Sequence, residues 1–103
     1  MINIIKNLFC VSSKVDYKEL IKNGAQIIDV RTPEEYALGH IEGSINIPLN
    51  ELTVKLSKIK KNVPVITCCA SGIRSSSAKS TLLSLGFTNI YNGGGWISLK
   101  NKV

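Results

Sequence analysis

A β-branched apolar run, Val63-Pro64-Val65-Ile66-Thr67-Cys68, leads directly into Cys69-Ala70-Ser71-Gly72-Ile73-Arg74-Ser75. A thiol where a buried strand meets a helix has the surroundings that make a nucleophile. Backbone N–H groups of a short tight loop converge into an anion cradle. The N-terminus of the next helix adds about half a positive charge, and the Arg74 guanidinium adds a full one. All three favour thiolate over thiol, so Cys69 is expected to ionise below the ordinary thiol range. Gly72 supplies backbone freedom for the bend, and Ser71 and Ser75 offer hydroxyl hydrogen bonds. The candidate site is therefore Cys69 as nucleophile, with Ala70, Ser71, Gly72, Ile73, Arg74 and Ser75 as its anion-binding loop.

The chain has three cysteines, and two of them are neighbours. Adjacent cysteines bridge only under strain, and Cys10 is far away in the chain. The pattern suits reactive or buried thiols better than a disulfide framework. With one His and no Cys-x-x-Cys pair, a zinc ligand set is incomplete, and no metal is expected.

The elements that must position these residues alternate between short strands and helices. Asp16 caps a helix through Lys22, with Glu19 three positions on, and Gly24 stops it. Ala25 to Val30 reads as a buried strand, apolar until Asp29. Thr32 and Pro33 open a short helix, Glu34 to Leu38, closed by Gly39. Ser44 to Ile47 is a second strand, ended by Pro48. Leu49, Leu52, Leu56 and Ile59 recur at helical spacing and predict one amphipathic helix. Val63 to Cys68 is the central strand, followed by a helix from about Ser75 to Leu85 whose buried stripe is Ala78, Leu82 and Leu85. Thr88 to Tyr91 is the last strand, before Gly93-Gly94-Gly95 and a terminal helix beginning at Trp96. Alternation of this kind implies a mostly parallel sheet covered on both faces, an α/β fold. In such sheets ligands bind beyond the carboxyl ends of the strands, which is where Cys69 falls.

Composition agrees with one small globular domain: 103 residues, 44% hydrophobic and 19% charged. Thirteen Lys and Arg against seven Asp and Glu give a charge of +6, but arginine supplies only Arg31 and Arg74. The aromatics do not interleave with the basic residues as a nucleic-acid surface requires, so no nucleic-acid partner is expected. A positive field that draws in small anions is the better use of this charge. No apolar run approaches the ~20 residues of a membrane span. The longest candidate, Ile2 to Val11, is broken by Asn3, Lys6 and Asn7 and lacks the small residues of a signal-peptide cleavage site. Bulky Phe9 argues against a lipoprotein Cys10. The expected location is the cytoplasm, without membrane attachment.

Three separated motifs carry a family resemblance. Asp29-Val30-Arg31, then Glu34-Glu35-Tyr36 and Gly39-His40-Ile41-Glu42-Gly43-Ser44-Ile45-Asn46-Ile47-Pro48, look like the signature of rhodanese-type sulfurtransferases. Cys69-x-Ser71-Gly72-x-Arg74-Ser75 is similar to their six-residue active-site loop. Gly86-Phe87 through Tyr91 to Gly94-Gly95-Trp96 matches the family's ending. The resemblance spans residues 14 to about 100 in the right order.

It implies a single-domain rhodanese-like fold, three layers α/β/α around a mostly parallel sheet of about five strands, over residues 14–103. It also implies sulfur transfer by double displacement, as in thiosulfate sulfurtransferases. A thiolate at Cys69 takes the outer sulfur of thiosulfate or a persulfide donor. A thiophilic acceptor (cyanide, a thiol or a protein) then removes it from the Cys69 persulfide. No metal or organic cofactor is needed; the partners are small sulfur-containing anions or persulfides, or a sulfur-donor or acceptor protein.

Two other readings stand beside this one. Counted from Cys68, the segment Cys-x5-Arg74-Ser75 has the spacing with which tyrosine phosphatases and arsenate reductases wrap an oxyanion. Thr67 and Ser71 depart from that pattern, and Ser71-Gly72 and Arg74-Ser75 align best when Cys69 starts the loop. The second is a non-catalytic rhodanese-like module for docking or redox sensing. It is kept open by Ala70, where many thiosulfate-using relatives place Arg, and by Ile73, which replaces a commonly polar residue.

The remaining candidates have structural expectations. Cys68 is expected as a packed small side chain. Asp29 and Arg31 are expected to support the loop after their strand as an ion pair. His40 is expected to brace a loop, Tyr36 to fill a core or motif position, and Trp96 with its glycines to close the C-terminal end by packing. Residues 1–13 are expected as an N-terminal helical extension with Ile2, Ile5 and Phe9 on one side.

Overall fold

The Asp16 carboxylate accepts a hydrogen bond from the Glu19 amide at 3.0 Å and so starts helix α1, Tyr17–Lys22. This is the first element of the computed structural model, which describes residues 15–103; the expected extension over residues 1–13 lies outside the described residues. Gly24, at φ +93, then turns the chain into strand β1, Gln26–Asp29. Thr32 caps α2, Pro33–Ala37, with a full capping box: its hydroxyl accepts from the Glu35 amide while the Glu35 carboxylate accepts from the Thr32 amide. Strand β2 is the short Ile45–Asn46.

The helix expected over Leu49 to Ile59 is instead two 3₁₀ segments, Leu49–Val54 and Leu56–Lys58. Lys55, at φ −118 and ψ 28, leaves helical geometry between them, and β-branched Thr53 and Val54 precede the break. Leu52 and Ile59 are nevertheless buried, and Leu49 and Leu56 pack at the edge of the same cluster. The spacing reported burial correctly and helix type incorrectly.

Strand β3 is Val65–Cys69, so it starts two residues later than expected and takes in Cys69 itself. Helix α3, Ile73–Ser84, begins two residues before the expected start. Only Ala70 to Gly72 remain as connecting loop, and Ile73, Arg74 and Ser75 form the first turn of the helix. Its buried stripe is Ser75, Ala78 and Leu82, while Leu85 is partly exposed at the C-cap and Phe87 fills the core below it. Strand β4 is Ile90–Gly95, later than expected and running through all three glycines, and α4 is Trp96–Lys100.

The described residues hold a four-stranded sheet in the order β2-β1-β3-β4, with every pair parallel. These are the four strands read from the residues, and the architecture is the rhodanese-like α/β fold that the resemblance implies. Side chains of β1 and β3 alternate between two buried clusters, as a period of two demands. Ile28, Val65 and Cys69 join Ala78, Leu82 and Leu52 on one face; Ile27, Ile66 and Cys68 join Leu99, Leu20 and Trp96 on the other. Helix α3 and the 3₁₀ segments thus cover one face of the sheet, and α1 and α4 the other.

The register slips once. Thr67 is opposite Asn92, but Cys69 is opposite Gly95, so β4 carries one extra residue at the carboxyl end of the sheet. The glycines make this bulge possible by their lack of a side chain. A Cβ at Gly93 would stand 2.8 Å from Leu99 and 2.9 Å from the Thr67 carbonyl, and one at Gly95 would stand 2.9 Å from the Ala70 carbonyl.

Candidate active site

Cys69 is the last residue of β3 and is only 1% exposed, at the floor of the turn into α3. Its sulfur accepts hydrogen bonds from the Gly72 amide at 2.9 Å and the Ser75 amide at 3.3 Å. The Gly72 amide reaches the sulfur because Gly72 adopts φ +106, which folds the chain back over it; a Cβ there would also crowd the Gly94 backbone at 3.4 Å. Ser75, fully buried, brings its hydroxyl to 3.5 Å from the sulfur. The whole arrangement sits on the amino end of the twelve-residue helix α3, whose dipole favours an anion at that point.

These contacts decide the ionisation of Cys69. Burial by itself favours the neutral thiol. The Ser75 hydroxyl and the amides of Ser75, Gly72 and Ser71 outweigh it, and the pKa falls below the usual thiol value. Cys68 shows the opposite: burial, reinforced by the Asp29 charge, pushes its thiol up to about 12. Among the described residues both cysteines are free thiols.

Arg74 departs from its expected role. Rather than lending an undivided charge to the sulfur, its guanidinium forms a two-pronged pair with Glu35 of α2, at 2.8 and 3.1 Å. The Arg74 hydrogen bonds, followed by that from the Thr32 amide, bring the Glu35 pKa down to about 2. The pair ties the first turn of α3 to α2. Ala70, Ser71 and Ile73 are exposed around the sulfur, with Ile73 at 77%.

Asp29 and Arg31 form the expected ion pair, with Asp29 Oδ2 and Arg31 Nη2 2.7 Å apart and both side chains buried. Arg31 also donates to the Gly39 carbonyl at 2.7 Å and stacks its guanidinium 4.6 Å from the centre of the Trp96 ring. One side chain therefore joins the end of β1, the end of α2 and the start of α4 beneath the site. His40 braces its loop as expected: Nδ1 lies 2.8 Å from the Tyr36 carbonyl oxygen, and the two rings stack at 3.8 Å. The Tyr36 hydroxyl donates to the Ser44 carbonyl at 2.7 Å.

Three residues near the site have roles there that the sequence reading did not assign. Glu35 had a readable signal, the Thr-x-x-Glu capping box. Thr67, whose hydroxyl donates to the Ser75 carbonyl at 2.9 Å, looked like an ordinary strand residue. Asn92, whose Oδ1 lies 2.6 Å from the Ser75 hydroxyl, comes from a strand 17 positions further on and carried no local signal.

A thiol cradled by amides at the carboxyl end of a parallel sheet, with a helix N-terminus behind it, defines an anion-stabilised cysteine site on an α/β scaffold. The family model for the rhodanese-like domain matches residues 13–101, and the chain belongs to that family. It is 34% identical over 86 residues to the thiosulfate sulfurtransferase GlpE of Pseudomonas paraeruginosa, covering 84% of this chain and 78% of that protein. It is 46% identical over 68 residues to the uncharacterized protein YqhL of Bacillus subtilis, covering 66% of this chain but only 54% of YqhL. Its fold superposes on the human single-domain sulfurtransferase TSTD1 with a TM-score of 0.73, at 30% identity, covering 84% of this chain and 91% of that one. Among the described residues, no helix is long and apolar enough to cross a membrane.

Proposed function

We propose that the protein is a thiosulfate sulfurtransferase of the rhodanese type, carrying a sulfane sulfur on Cys69. The observation that carries this reading is the pair of amides, from Gly72 and Ser75, directed at the Cys69 sulfur. The same donors that stabilise a thiolate stabilise a persulfide anion. The names of GlpE and TSTD1 support the activity, and thiosulfate or a persulfide is the donor.

In the first half-reaction the Cys69 thiolate attacks the outer sulfur of thiosulfate. An Sγ–S bond forms, the S–S bond of the donor breaks, and its electron pair leaves with sulfite. In the second, a cyanide, thiolate or protein thiolate attacks the terminal sulfur of the persulfide. The Sγ–S bond breaks and its pair returns to Cys69 as thiolate. Charge balances in both steps, and no redox partner or cofactor enters. Ala70 to Ser75 form the anion-binding loop, while Asp29 and Arg31 support it from below. A free reactive thiol is kept reduced in the cytoplasm, and that is the location we propose for the protein.

The phosphatase reading requires Cys68 to be the nucleophile. Cys68 faces the opposite side of the sheet from the amide cradle and resists ionisation, which disfavours it. The test is intact-protein mass spectrometry of the reduced protein after incubation with thiosulfate or glutathione persulfide, with Cys69→Ser and Cys68→Ser alongside. A cyanide-removable gain of one sulfur, lost only in Cys69→Ser, is expected. Failure with both donors would leave a docking or redox-sensing module as the better account.

A further inference from the structure

The Ser75 hydroxyl has one proton and three acceptors within reach. Asn92 Oδ1 is at 2.6 Å, the Gly72 carbonyl at 3.1 Å and the Cys69 sulfur at 3.5 Å. The Asn92 amide can be oriented only one way. Its Oδ1 also accepts from the Gly94 amide at 2.9 Å, and its Nδ2 faces the Gly72 carbonyl oxygen at 3.5 Å. A flipped amide would set donor against donor and acceptor against acceptor.

With Cys69 neutral, a directional chain results. The thiol S–H donates to Ser75 Oγ, and the Ser75 O–H donates to Asn92 Oδ1. Ionisation removes the first donor and leaves two electron-rich atoms, sulfur and hydroxyl oxygen, facing each other. The contact becomes favourable again when the hydroxyl swings from Asn92 to the sulfur. Asn92 Oδ1 then still holds the Gly94 N–H, so the swing orphans no acceptor.

We propose that Asn92 is a positioning residue that holds the Ser75 hydroxyl proton away from the Cys69 sulfur in the neutral thiol and releases it to the anion. It acts through Ser75, by competing with the sulfur for a single proton. The inference rests on the reading of Cys69 as the nucleophile. The charged and titratable groups near the sulfur are Arg74 in α3 with its partner Glu35 in α2 and the adjacent Cys68 thiol, while the Asp29–Arg31 pair at the end of β1 acts on Cys68 on the other face of the sheet. The β4 segment Asn92–Gly95 brings no charge. A change at Asn92 therefore alters the hydrogen-bond competition without changing the local charge.

The experiment is the pH dependence of iodoacetamide alkylation, read by mass spectrometry on the Cys69 peptide. It compares wild type, Asn92→Ala, Ser75→Ala and the double variant. Asn92→Ala frees the hydroxyl for the sulfur and is expected to move the midpoint down by about half to one pH unit, the worth of one modest hydrogen bond. Ser75→Ala is expected to move it up, and Asn92→Ala added to Ser75→Ala is expected to move it no further. Asn92→Ser provides a second variant, because its short hydroxyl still satisfies the Gly94 amide while withdrawing the oxygen from Ser75; the same downward shift is expected. No shift or an upward shift in both Asn92 variants overturns the proposal. Equal shifts with and without Ser75 overturn it as well, since Asn92 would then be a brace for the backbone. Alkylation reads ionisation without sulfur transfer, so this result is separate from the outcome of the persulfide experiment.

Discussion

Cys68 and Cys69 are consecutive in the chain yet belong to opposite faces of the sheet: Cys68 packs with Ile27, Ile66 and Leu99, and Cys69 with Val30, Ala78 and Leu82. Only Cys69 meets the amides of the turn and the N-terminus of α3. One residue of register separates an activated thiol from an inert one.

That separation predicts selective chemistry. At neutral pH, iodoacetamide is expected to label Cys69 and to spare Cys68 until the protein is denatured. Peptide mapping of labelled protein checks this. Cys68→Ala is expected to retain sulfur transfer and to cost stability only modestly, since it removes one buried atom without opening a polar hole. Loss of transfer in a folded Cys68→Ala protein would contradict the assignment.

The Glu35–Arg74 pair predicts a pH dependence of stability. The Glu35 pKa is depressed to about 2, so its contribution is present above the unfolded carboxylate value of about 4.3 and is lost as pH falls toward 2. Wild type is expected to exceed Glu35→Gln in denaturant midpoint at pH 6, and the gap to close between pH 4.5 and 2. Both partners are more than a third exposed, so salt is expected to narrow the gap too. A gap that stays constant from pH 6 to 2 would assign the difference to packing rather than charge.

Asp29→Asn leaves the buried Arg31 guanidinium without its counter-ion, although Gly39 and Trp96 still hold its far side. The expected cost is about 3–5 kcal/mol, read from urea unfolding. Because Arg31 joins β1, α2 and α4, the near-ultraviolet signal of Trp96 is expected to change as well. A cost below about 1 kcal/mol would mean that water or a neighbour replaces the lost carboxylate.

Gly93→Ala tests the bulge in β4. The added methyl would meet Leu99, Ile66 and the Thr67 carbonyl within 2.9 Å, and the carbonyl is backbone that cannot step aside cheaply. Destabilisation of about 1–3 kcal/mol is expected from overpacking. The same backbone shift would draw Asn92 away from the Ser75 hydroxyl, so a lower pH midpoint of Cys69 alkylation is expected in the folded variant.

Much of the scaffold was legible along the chain because it depends on local chemistry. Asp16, Thr32 with Pro33, and Gly24 mark helix ends through groups only a few positions away. Four strands announced themselves as short apolar runs, and the turn after Cys69 revealed itself through Gly72. Errors arose where packing overrides local preference. Leu49 to Ile59 kept helical spacing but fell into two 3₁₀ pieces, since packing Leu52 and Ile59 into the core, with Leu49 and Leu56 at its edge, constrains position more than backbone hydrogen-bond pattern. The last strand ran on through glycines of low strand propensity, because lack of side chains is what lets β4 approach Leu99 and the Ala70 carbonyl.

The sequence alone determined that a thiol would stand between a buried strand and a helix, with a glycine bend and a serine beside it. Those features are written in adjacent residues. The tertiary structure decided which cysteine faces the cradle, that Arg74 answers to Glu35, and that Asn92 reaches the Ser75 hydroxyl. Each of these depends on strand register or on elements brought together from distant parts of the chain, and no local pattern encodes where a side chain will meet a partner across a folded sheet.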